Sequence, residues 1–210
     1  MESLEHLRKT DRRLSKVIDR IGPLDYQSYN NSGDGFAFLI REIVGQMISA
    51  KVKKVLYNRL LDLCFNDISP QRILTLSVEK LRSIGLSQSK SKYIINLATL
   101  VSNGEIDLNL LYSMSDDAII KNLTTIKGIG NWTAKMYLIF FLQREDILPY
   151  EDGAFIQSYK WLYGTSKVDK ISISKKCKKW KPYSSIGARY LYKALDMGLV
   201  KQPIDHFLNE

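Results

Sequence analysis

Two glycines that flank one apolar residue, Gly128-Ile129-Gly130, lie between two predicted helices. Glycine adopts a positive φ without steric cost and lets the backbone approach a neighbouring group closely, so both glycines could serve a tight hairpin. We expect Ile129 to anchor the turn in the core while the amides around Gly130 face outward. Amides at a helix N-terminus bind phosphate, and such contacts are independent of base sequence. The turn is therefore a candidate DNA-backbone site, although an ordinary turn between helices could carry the same residues.

A second candidate is Asp152, which follows Glu151 and precedes an apolar run that continues to Ile156. An aspartate just before a helix commonly accepts a backbone hydrogen bond as the helix cap. The helix N-terminus also favours the ionised carboxylate. Such a carboxylate can stabilise developing positive charge or orient and deprotonate a water molecule. The residues alone leave both roles open for Asp152.

The charge of the chain favours a polyanionic partner. Its 210 residues include 31 Lys and Arg against 22 Asp and Glu, a formal net charge of +9. DNA, RNA and an anionic membrane surface all fit that excess. Two cysteines and two histidines are too few for a four-cysteine iron–sulfur cluster or a structural zinc site, so we expect no metal and no cofactor. The N-terminus lacks a secretory-signal pattern, and the apolar run 136–142 is too short to cross a bilayer.

The apolar pattern is helical nearly throughout the chain. Apolar residues recur at helical spacing in 36–48, 55–63 and 94–101, and the segment 132–141 is apolar almost all round, which predicts a buried helix. Helix starts are expected after Ser69 and Ser115, and a last helix over about 184–197. The glycine-containing segment 31–35 is the clearest loop. We therefore predict an all-α protein with about ten helices.

The hairpin and the aspartate together resemble the helix-hairpin-helix (HhH-GPD) superfamily of DNA glycosylases. The resemblance covers roughly residues 10–200, and Asp152 falls on the family's catalytic aspartate. Breaking an N-glycosidic bond builds positive charge on the sugar, which explains why the family needs a carboxylate. Glu151 stands where relatives often have aspartate, and Gly153-Ala154 replaces a larger apolar residue. The resemblance implies a catalytic Asp152, and capping of the next helix is compatible with that role.

One position separates two reaction types within this superfamily. Relatives that also cut the strand carry a lysine two residues after the second hairpin glycine, and this amine forms a Schiff base with the sugar. Trp132 occupies that position here, so we expect a monofunctional glycosylase that leaves an abasic site. Trp132 also resembles the pocket tryptophan of the DNA-3-methyladenine glycosylase II type, whose aromatic rings hold positively charged alkylated bases through cation–π interactions.

Further similarity to this alkylbase type lies in the segment 180–185 and the helix after it. The resemblance implies a base pocket that includes Trp132, Tyr192 and Met136, with Met136 in place of a family tyrosine. Simple core packing is the alternative for each of these side chains. Alkylated bases would be the substrates, with uracil or hypoxanthine as secondary ones.

The segment 45–49 resembles the family's Gly-Gln-x-Ile-Ser signature, in which an apolar side chain fills the gap left by a flipped base. Met47 is the expected wedge and Gln46 is expected beside the opened pair, although Met47 also fits the apolar stripe of its own predicted helix. The segment 81–90 resembles a family loop at the DNA face. The residues expected to contact the DNA backbone are Lys90, Lys127, Gly128, Gly130 and Thr133.

The family resemblance implies one glycosylase unit made of two helical lobes with a DNA-binding cleft between them. We expect a helical barrel with the hairpin over 36–145 and a second lobe from 1–35 plus 146–210. The expected partner is double-stranded DNA with damaged bases, bound by a monomer in the nucleoid or cytoplasm of a prokaryote or the nucleus of a eukaryote. The alternatives are a glycosylase for mismatched, oxidised or deaminated bases, a non-catalytic DNA-binding protein and, least favoured, a membrane-surface protein.

Overall fold

The computed structural model describes residues 2–24 and 34–204, and these residues form helices, turns and loops with no β-strand among them. The all-α prediction is confirmed. The chain divides into two compact units, which we call the mid-chain unit (29–142) and the terminal unit (1–28 with 143–210). The sequence-based lobe limits differ from these by a few residues. Residues 31–33 of the predicted loop lie outside the described part of the chain.

The mid-chain unit is a helical bundle organised around one apolar helix. Its helices are α3 (Gly35–Gly45), α4 (Ala50–Leu63), α5 (Pro70–Leu74), α6 (Val78–Ser83), α7 (Gln88–Ser102), α8 (Asp116–Leu123) and α9 (Asn131–Met136), with a 3-10 turn over Leu110–Ser113. Helix α9 continues directly into a π-helical turn, Tyr137–Phe141. Helix α3 is buried on nearly all sides because it packs against α4, α7, α9 and the π turn. The predicted buried helix over 132–141 is confirmed.

The terminal unit joins both ends of the described chain in one core. It contains α1 (Glu2–Thr10), α2 (Arg12–Ile21), α10 (Gly153–Tyr163), α11 (Lys170–Cys177) and α12 (Ser184–Asp196), with short 3-10 turns at Lys178–Trp180 and Leu199–Lys201. Helix α12 packs against both α10 and α2. The large aromatic side chains Phe155, Tyr159, Trp180 and Tyr190 fill the core between these helices. Burying each such ring contributes about 2 to 3 kcal/mol, so these aromatic residues contribute strongly to the stability of this unit.

A buried carboxylate holds the first helices of the terminal unit to its later segments. Asp11 caps α2 by accepting from the amides of Arg13 and Leu14, and it is 1% exposed. It also accepts hydrogen bonds from the Tyr163 hydroxyl and, at 2.8 Å, from the Trp180 indole nitrogen. The Lys179 ammonium lies 3.1 Å away. Burial alone would raise the pKa of Asp11, but these donors outweigh it and hold the pKa below its usual value.

Side-chain caps explain where most of the helices begin. Ser69 accepts from the Arg72 amide with Pro70 in the first turn of α5, and Ser115 accepts from the Ala118 amide at the start of α8. Both starts confirm the sequence-based predictions. Twelve α-helices are present in the described residues, against about ten predicted, and the six-residue α6 has too few residues for a clear periodicity. No helix in the described ranges is long and apolar enough to cross a membrane.

Candidate DNA-binding hairpin and catalytic carboxylate

The hairpin between α8 and α9 has the predicted outward-facing backbone. Ile129 is 4% exposed and packs into the core, whereas Gly130 is exposed. Gly128 has φ +97°, a conformation that other residues rarely adopt. Gly130 has φ −100° and ψ −179°, which is ordinary extended backbone. Gly128 therefore uses the positive φ that glycine permits, and Gly130 does not.

The two glycines meet different neighbours. A Cβ on Gly128 would lie 2.3 Å from Cγ of Tyr93, so the hairpin backbone and the Tyr93 ring leave no room for a side chain. A Cβ on Gly130 would meet no atom of the protein within 4 Å. Neither backbone conformation nor internal packing thus requires glycine at position 130. The space beside the hairpin backbone at Gly130 is therefore open.

Helix α9 begins differently from the other helices described in the mid-chain unit. Each of α3 to α8 starts at an aspartate or serine whose side chain accepts a backbone hydrogen bond. Gly130 occupies this position for α9 and supplies no side-chain acceptor. The first turn of α9 therefore keeps the geometry in which an external anion can bind to backbone amides.

The wedge candidate lies outside its predicted helix. Helix α3 ends at Gly45, and Met47 follows in the left-handed region with φ 56° and a side chain that is 100% exposed. An apolar side chain held in this conformation and fully in solvent contributes nothing to the core. The alternative that Met47 belongs to the apolar stripe of its helix is therefore wrong. Ser49 caps α4 immediately afterwards, so two helices bracket the turn.

Gln46 connects the turn that carries Met47, the wedge candidate, to the hairpin through hydrogen bonds. Its Nε2 atom donates to the Gly128 carbonyl at 2.8 Å and to the Thr133 hydroxyl at 3.4 Å. Thr133 is only 1% exposed, so its side chain faces inward to Gln46, and the prediction that it contacts a DNA phosphate is wrong for the side chain. Lys127 is exposed beside the hairpin, as a phosphate-binding lysine must be.

Lys90 has a role that the sequence did not indicate. Its ammonium donates to the Val44 carbonyl at 2.9 Å, near the C-terminal end of α3. Burial lowers the pKa of this lysine. A cation at a helix C-terminus binds carbonyl groups that lack partners within the helix. Lys90 therefore supports the end of α3 just before Met47, and its contact with a DNA phosphate stays a prediction.

Asp152 lies in the terminal unit at the start of α10. Its Oδ1 atom accepts a hydrogen bond from the Phe155 amide at 2.7 Å, and the residue is 7% exposed. The Tyr192 hydroxyl on α12 also donates to this carboxylate. Burial and the charge of Asp152 raise the pKa of Tyr192 well above its usual value, so the tyrosine remains a hydrogen-bond donor at neutral pH. The packing of α10 on α12 thus holds the carboxylate in one orientation.

The other predicted pocket residues lie on α9. Trp132 is partly exposed in the first turn, while Met136 is 5% exposed one turn later. Within the mid-chain unit, the structure brings Gln46 and Met47 together with the hairpin; within the terminal unit, it brings Tyr192 to Asp152. Among the described residues, no cluster of three or more His, Cys, Asp or Glu side chains could hold a metal ion.

The two hairpin glycines give a matched pair of substitutions. We expect Gly130→Ala to leave the free energy of unfolding unchanged or raised by about 0.4 to 1 kcal/mol, because its φ suits alanine. The same change should weaken binding to duplex DNA, because the new methyl group occupies the space where a phosphate would lie. We expect Gly128→Ala to lower the free energy of unfolding by more than about 1 kcal/mol, owing to its positive φ and the Tyr93 ring. Urea denaturation and fluorescence anisotropy measure the two effects. Unchanged DNA binding by Gly130→Ala would contradict the assignment.

The chain is similar to known DNA repair proteins. Residues 40–182 match the family model described as HhH-GPD superfamily base excision DNA repair protein. An alkylbase DNA glycosidase-like protein of Schizosaccharomyces pombe is 29% identical over 194 residues, covering 90% of this chain and 91% of that protein. DNA-3-methyladenine glycosylase 1 of the same yeast is 26% identical over 203 residues, covering 95% and 89%.

The fold is also similar to those of solved DNA glycosylase structures. The 3-methyladenine DNA glycosylase of Schizosaccharomyces pombe in complex with abasic DNA superimposes with a TM-score of 0.85 at 26% identity, covering 93% of this chain and 97% of that one. A DNA-3-methyladenine glycosidase from Bacillus halodurans gives 0.80 at 29% identity, covering 100% and 97%.

Proposed function

Because the chain belongs to the HhH-GPD superfamily of base excision DNA repair proteins, we propose that it is a DNA glycosylase that removes alkylated bases of the 3-methyladenine type. Relatives similar over nearly the whole chain carry that activity in their names. The observation that carries the proposal is Asp152, a largely buried carboxylate held by the Phe155 amide and the Tyr192 hydroxyl. The protein acts on double-stranded DNA, as a monomer, wherever the cell keeps its DNA.

Asp152 supplies the chemistry of the step. As the bond between sugar and base breaks, positive charge develops on the sugar, and a fixed negative charge nearby stabilises it without reorganisation. The same carboxylate orients the attacking water and takes up its proton. An alkylated base that carries positive charge leaves as a neutral molecule, so the protein needs no strong acid to protonate it. Two hydrogen-bond donors on Asp152 fix where its negative charge lies.

Trp132 determines that the reaction stops at the abasic site. An amine at its position would attack the sugar carbon and lead to strand cleavage through a Schiff base. The indole ring cannot do so, and water is the remaining nucleophile. A partly exposed aromatic ring instead favours an electron-poor, positively charged base through its π face. Trp132 and Met136, on the same face of α9, are the side chains we assign to selection of the base in the mid-chain unit.

The turn that carries Met47 serves base flipping. Extruding a base costs a few kcal/mol of stacking, and an apolar side chain inserted into the gap offsets part of that cost. Met47 is fully exposed, and the chain just before it is held by two contacts, from Gln46 to the hairpin and from Lys90 to the Val44 carbonyl. The wedge is therefore pre-positioned relative to the backbone that binds phosphate.

Shortening the wedge should separate flipping from chemistry. We expect Met47→Ala to slow base release from duplex DNA by about 10-fold, because a few kcal/mol of unstacking is then less well offset. Release from single-stranded DNA with the same lesion should change little. Because Met47 contacts no core residue, the free energy of unfolding should stay within about 0.5 kcal/mol. Equal slowing on both substrates would contradict a wedge role.

Removing the Tyr192 hydroxyl tests its positioning role. We expect Tyr192→Phe to slow single-turnover base release by about 10-fold or more, since a hydrogen bond to a charged group contributes about 1.5 to 3 kcal/mol. The dissociation constant for DNA should remain unchanged, because the ring is kept. An unaltered rate would contradict the role.

Release of free base tests the proposed function directly. Duplex DNA carrying radiolabelled methyl groups on its purines is incubated with the protein, and the soluble products are separated by chromatography. We expect free methylated purine, with 3-methyladenine released in preference to undamaged adenine. Undamaged duplex DNA is the control for non-specific hydrolysis. Tight DNA binding with no base released from methylated, deaminated or oxidised substrates would replace the enzyme with a non-catalytic DNA-binding protein.

A further inference from the structure

A cavity lined by lysine side chains lies in the terminal unit, at the opposite end of α10 from Asp152. It has a volume of about 690 Å³ and is bordered by the end of α10, the loop that follows it and helix α11. Four lysines line it: Lys167, Lys175, Lys176 and Lys179. An α-helix rises about 1.5 Å per residue, so the 11 residues of α10 separate this cavity from the carboxylate by about 16 Å. The cavity is therefore distinct from the proposed catalytic group.

Two of the four lysines that line this cavity lie over one aromatic ring. The Lys176 ammonium lies 4.8 Å from the centroid of the Tyr163 ring, and the Lys179 ammonium lies 5.4 Å from it. Such cation–π contacts restrict two flexible side chains to one side of the cavity. The Tyr163 hydroxyl is in turn fixed by the buried Asp11. Two of the four lysines are thus held beside a ring whose own position is fixed.

The local charge balance is strongly positive. On these elements the facing carboxylates are Asp11, which pairs with Lys179 at 3.1 Å, and Asp169, which caps α11 by accepting from the Ser172 amide. Lys167 and Lys175 are exposed and have no ion pair with any described residue. At least two ammonium groups thus border the cavity without a nearby counter-charge. A bound anion would gain Coulomb energy from both.

Hydroxyl groups complete the lining. Thr165 and Ser172 border the cavity. The Ser172 hydroxyl bonds to the Asp169 carboxylate, whereas the Thr165 hydroxyl accepts from the Lys167 amide and keeps its own proton to donate. The backbone turns at Gly164, which has φ +60° and no atom within 4 Å of where a Cβ would lie. One hydroxyl donor combined with several ammonium groups suits a tetrahedral oxyanion, whose oxygen atoms accept several hydrogen bonds at once. A carboxylate would use fewer of these donors. A phosphate group matches the charge and the donors, and the cavity has room for it.

We propose that this cavity, defined by Lys167, Lys175, Lys176, Lys179, Thr165 and Ser172, binds a phosphate group at a site separate from the hairpin. Two kinds of ligand carry such a phosphate group. One is the backbone of a DNA segment away from the damaged base, and the other is a free phosphate or nucleotide. A DNA source would add a second contact that keeps the protein on DNA between lesions. A free source would make the terminal unit a sensor of small phosphate compounds.

The test uses the full-length protein and a double substitution, Lys167→Ala with Lys175→Ala. These side chains have no ion pair in the described structure, so the fold should be retained, as circular dichroism would show. The matched control is Lys9→Ala with Lys201→Ala, two exposed lysines of the same unit that do not line the cavity and whose loss changes the net charge equally. The probes are inorganic phosphate, followed by amide NMR at constant ionic strength, and an undamaged DNA duplex.

We expect saturable shifts of the amides of residues 164–176 with phosphate. In the double variant the dissociation constant should be about 10-fold weaker, since two of the ammonium groups that attract the anion are lost. The control variant should match the wild type.

If the DNA phosphate is the source, a plot of log DNA affinity against log salt concentration becomes shallower in the double variant, by about 0.9 for each lost contact, but not in the control. An unchanged slope with lost phosphate shifts assigns the site to a free phosphate. Absence of saturable shifts in the wild type, or equal affinities in both variants, would overturn the proposal.

Discussion

Replacing Asp152 with asparagine is expected to slow single-turnover base release by at least about 100-fold, comparable to the loss of a preorganised charge-stabilising group in other active sites. Asparagine has the same shape, and its side-chain oxygen can still accept from the Phe155 amide, so the start of α10 should be preserved. The variant loses only the negative charge. Rapid-quench measurement of base release with enzyme in excess over DNA isolates the chemical step.

The variant should bind DNA at least as tightly as the wild type, because a carboxylate near the DNA backbone repels phosphates. The adjacent Glu151→Gln is the matched control, since Glu151 is exposed and its loss removes the same charge from the neighbouring position. We expect this control to keep the wild-type rate within a few-fold. A rate for Asp152→Asn within the same range would show that the carboxylate serves only as a helix cap.

The second large effect concerns stability. We expect Asp11→Ala to lower the free energy of unfolding by about 3 to 5 kcal/mol, as is typical when one partner of a buried charged network is removed. The substitution leaves the Trp180 indole and the Tyr163 hydroxyl buried without their acceptor, and it removes the counter-charge of Lys179. It also removes the side-chain cap of α2. Urea denaturation followed by tryptophan fluorescence measures the loss.

The control is Asp19→Ala, because Asp19 forms an exposed ion pair with Arg8 at 2.9 Å and should contribute less than about 1 kcal/mol. The effect of Asp11 should also depend on pH. Because folding lowers the pKa of this carboxyl group, its contribution is fully present above the unfolded-state pKa of about 3.9 and disappears as the pH falls through the lower folded value. The difference between wild type and Asp11→Ala should therefore shrink below about pH 4. A difference that is constant from pH 3 to 7 would contradict a role for the ionised group.

Features that depend on local sequence were predictable. Serine or aspartate caps mark most helix starts, because the side chain bonds to an amide two or three residues ahead. Ile129 and Gly128 are likewise determined locally, by the need to bury one apolar side chain and to turn the chain sharply. The end of α3 was harder, since apolar spacing continued through Met47 although the helix stops at Gly45.

Features that join distant segments were not predictable in the same way. The Tyr192 hydroxyl meets Asp152 only because α12 packs on α10, and Tyr192 was expected to serve as a pocket aromatic. Thr133 and Lys90 are polar residues that were expected to face DNA, yet each bonds to a group more than 40 positions away in the chain. Trp180 shows the same limit, since its hydrogen bond to Asp11 spans 169 positions. The pattern of a single sequence does not indicate which residues of two distant segments will meet in the fold.

The monofunctional reaction is tested most directly by one gel experiment on an end-labelled duplex that carries a single 3-methyladenine analogue, stable to hot alkali, at a known position. After incubation with the wild-type protein, half of each sample is heated with alkali and half is kept neutral. We predict a cut at the methylated base only after alkali, because base hydrolysis with Trp132 in place of the lyase amine leaves an intact strand with an abasic site. A cut in the neutral sample would contradict the monofunctional reaction, and no cut in either sample would contradict glycosylase activity.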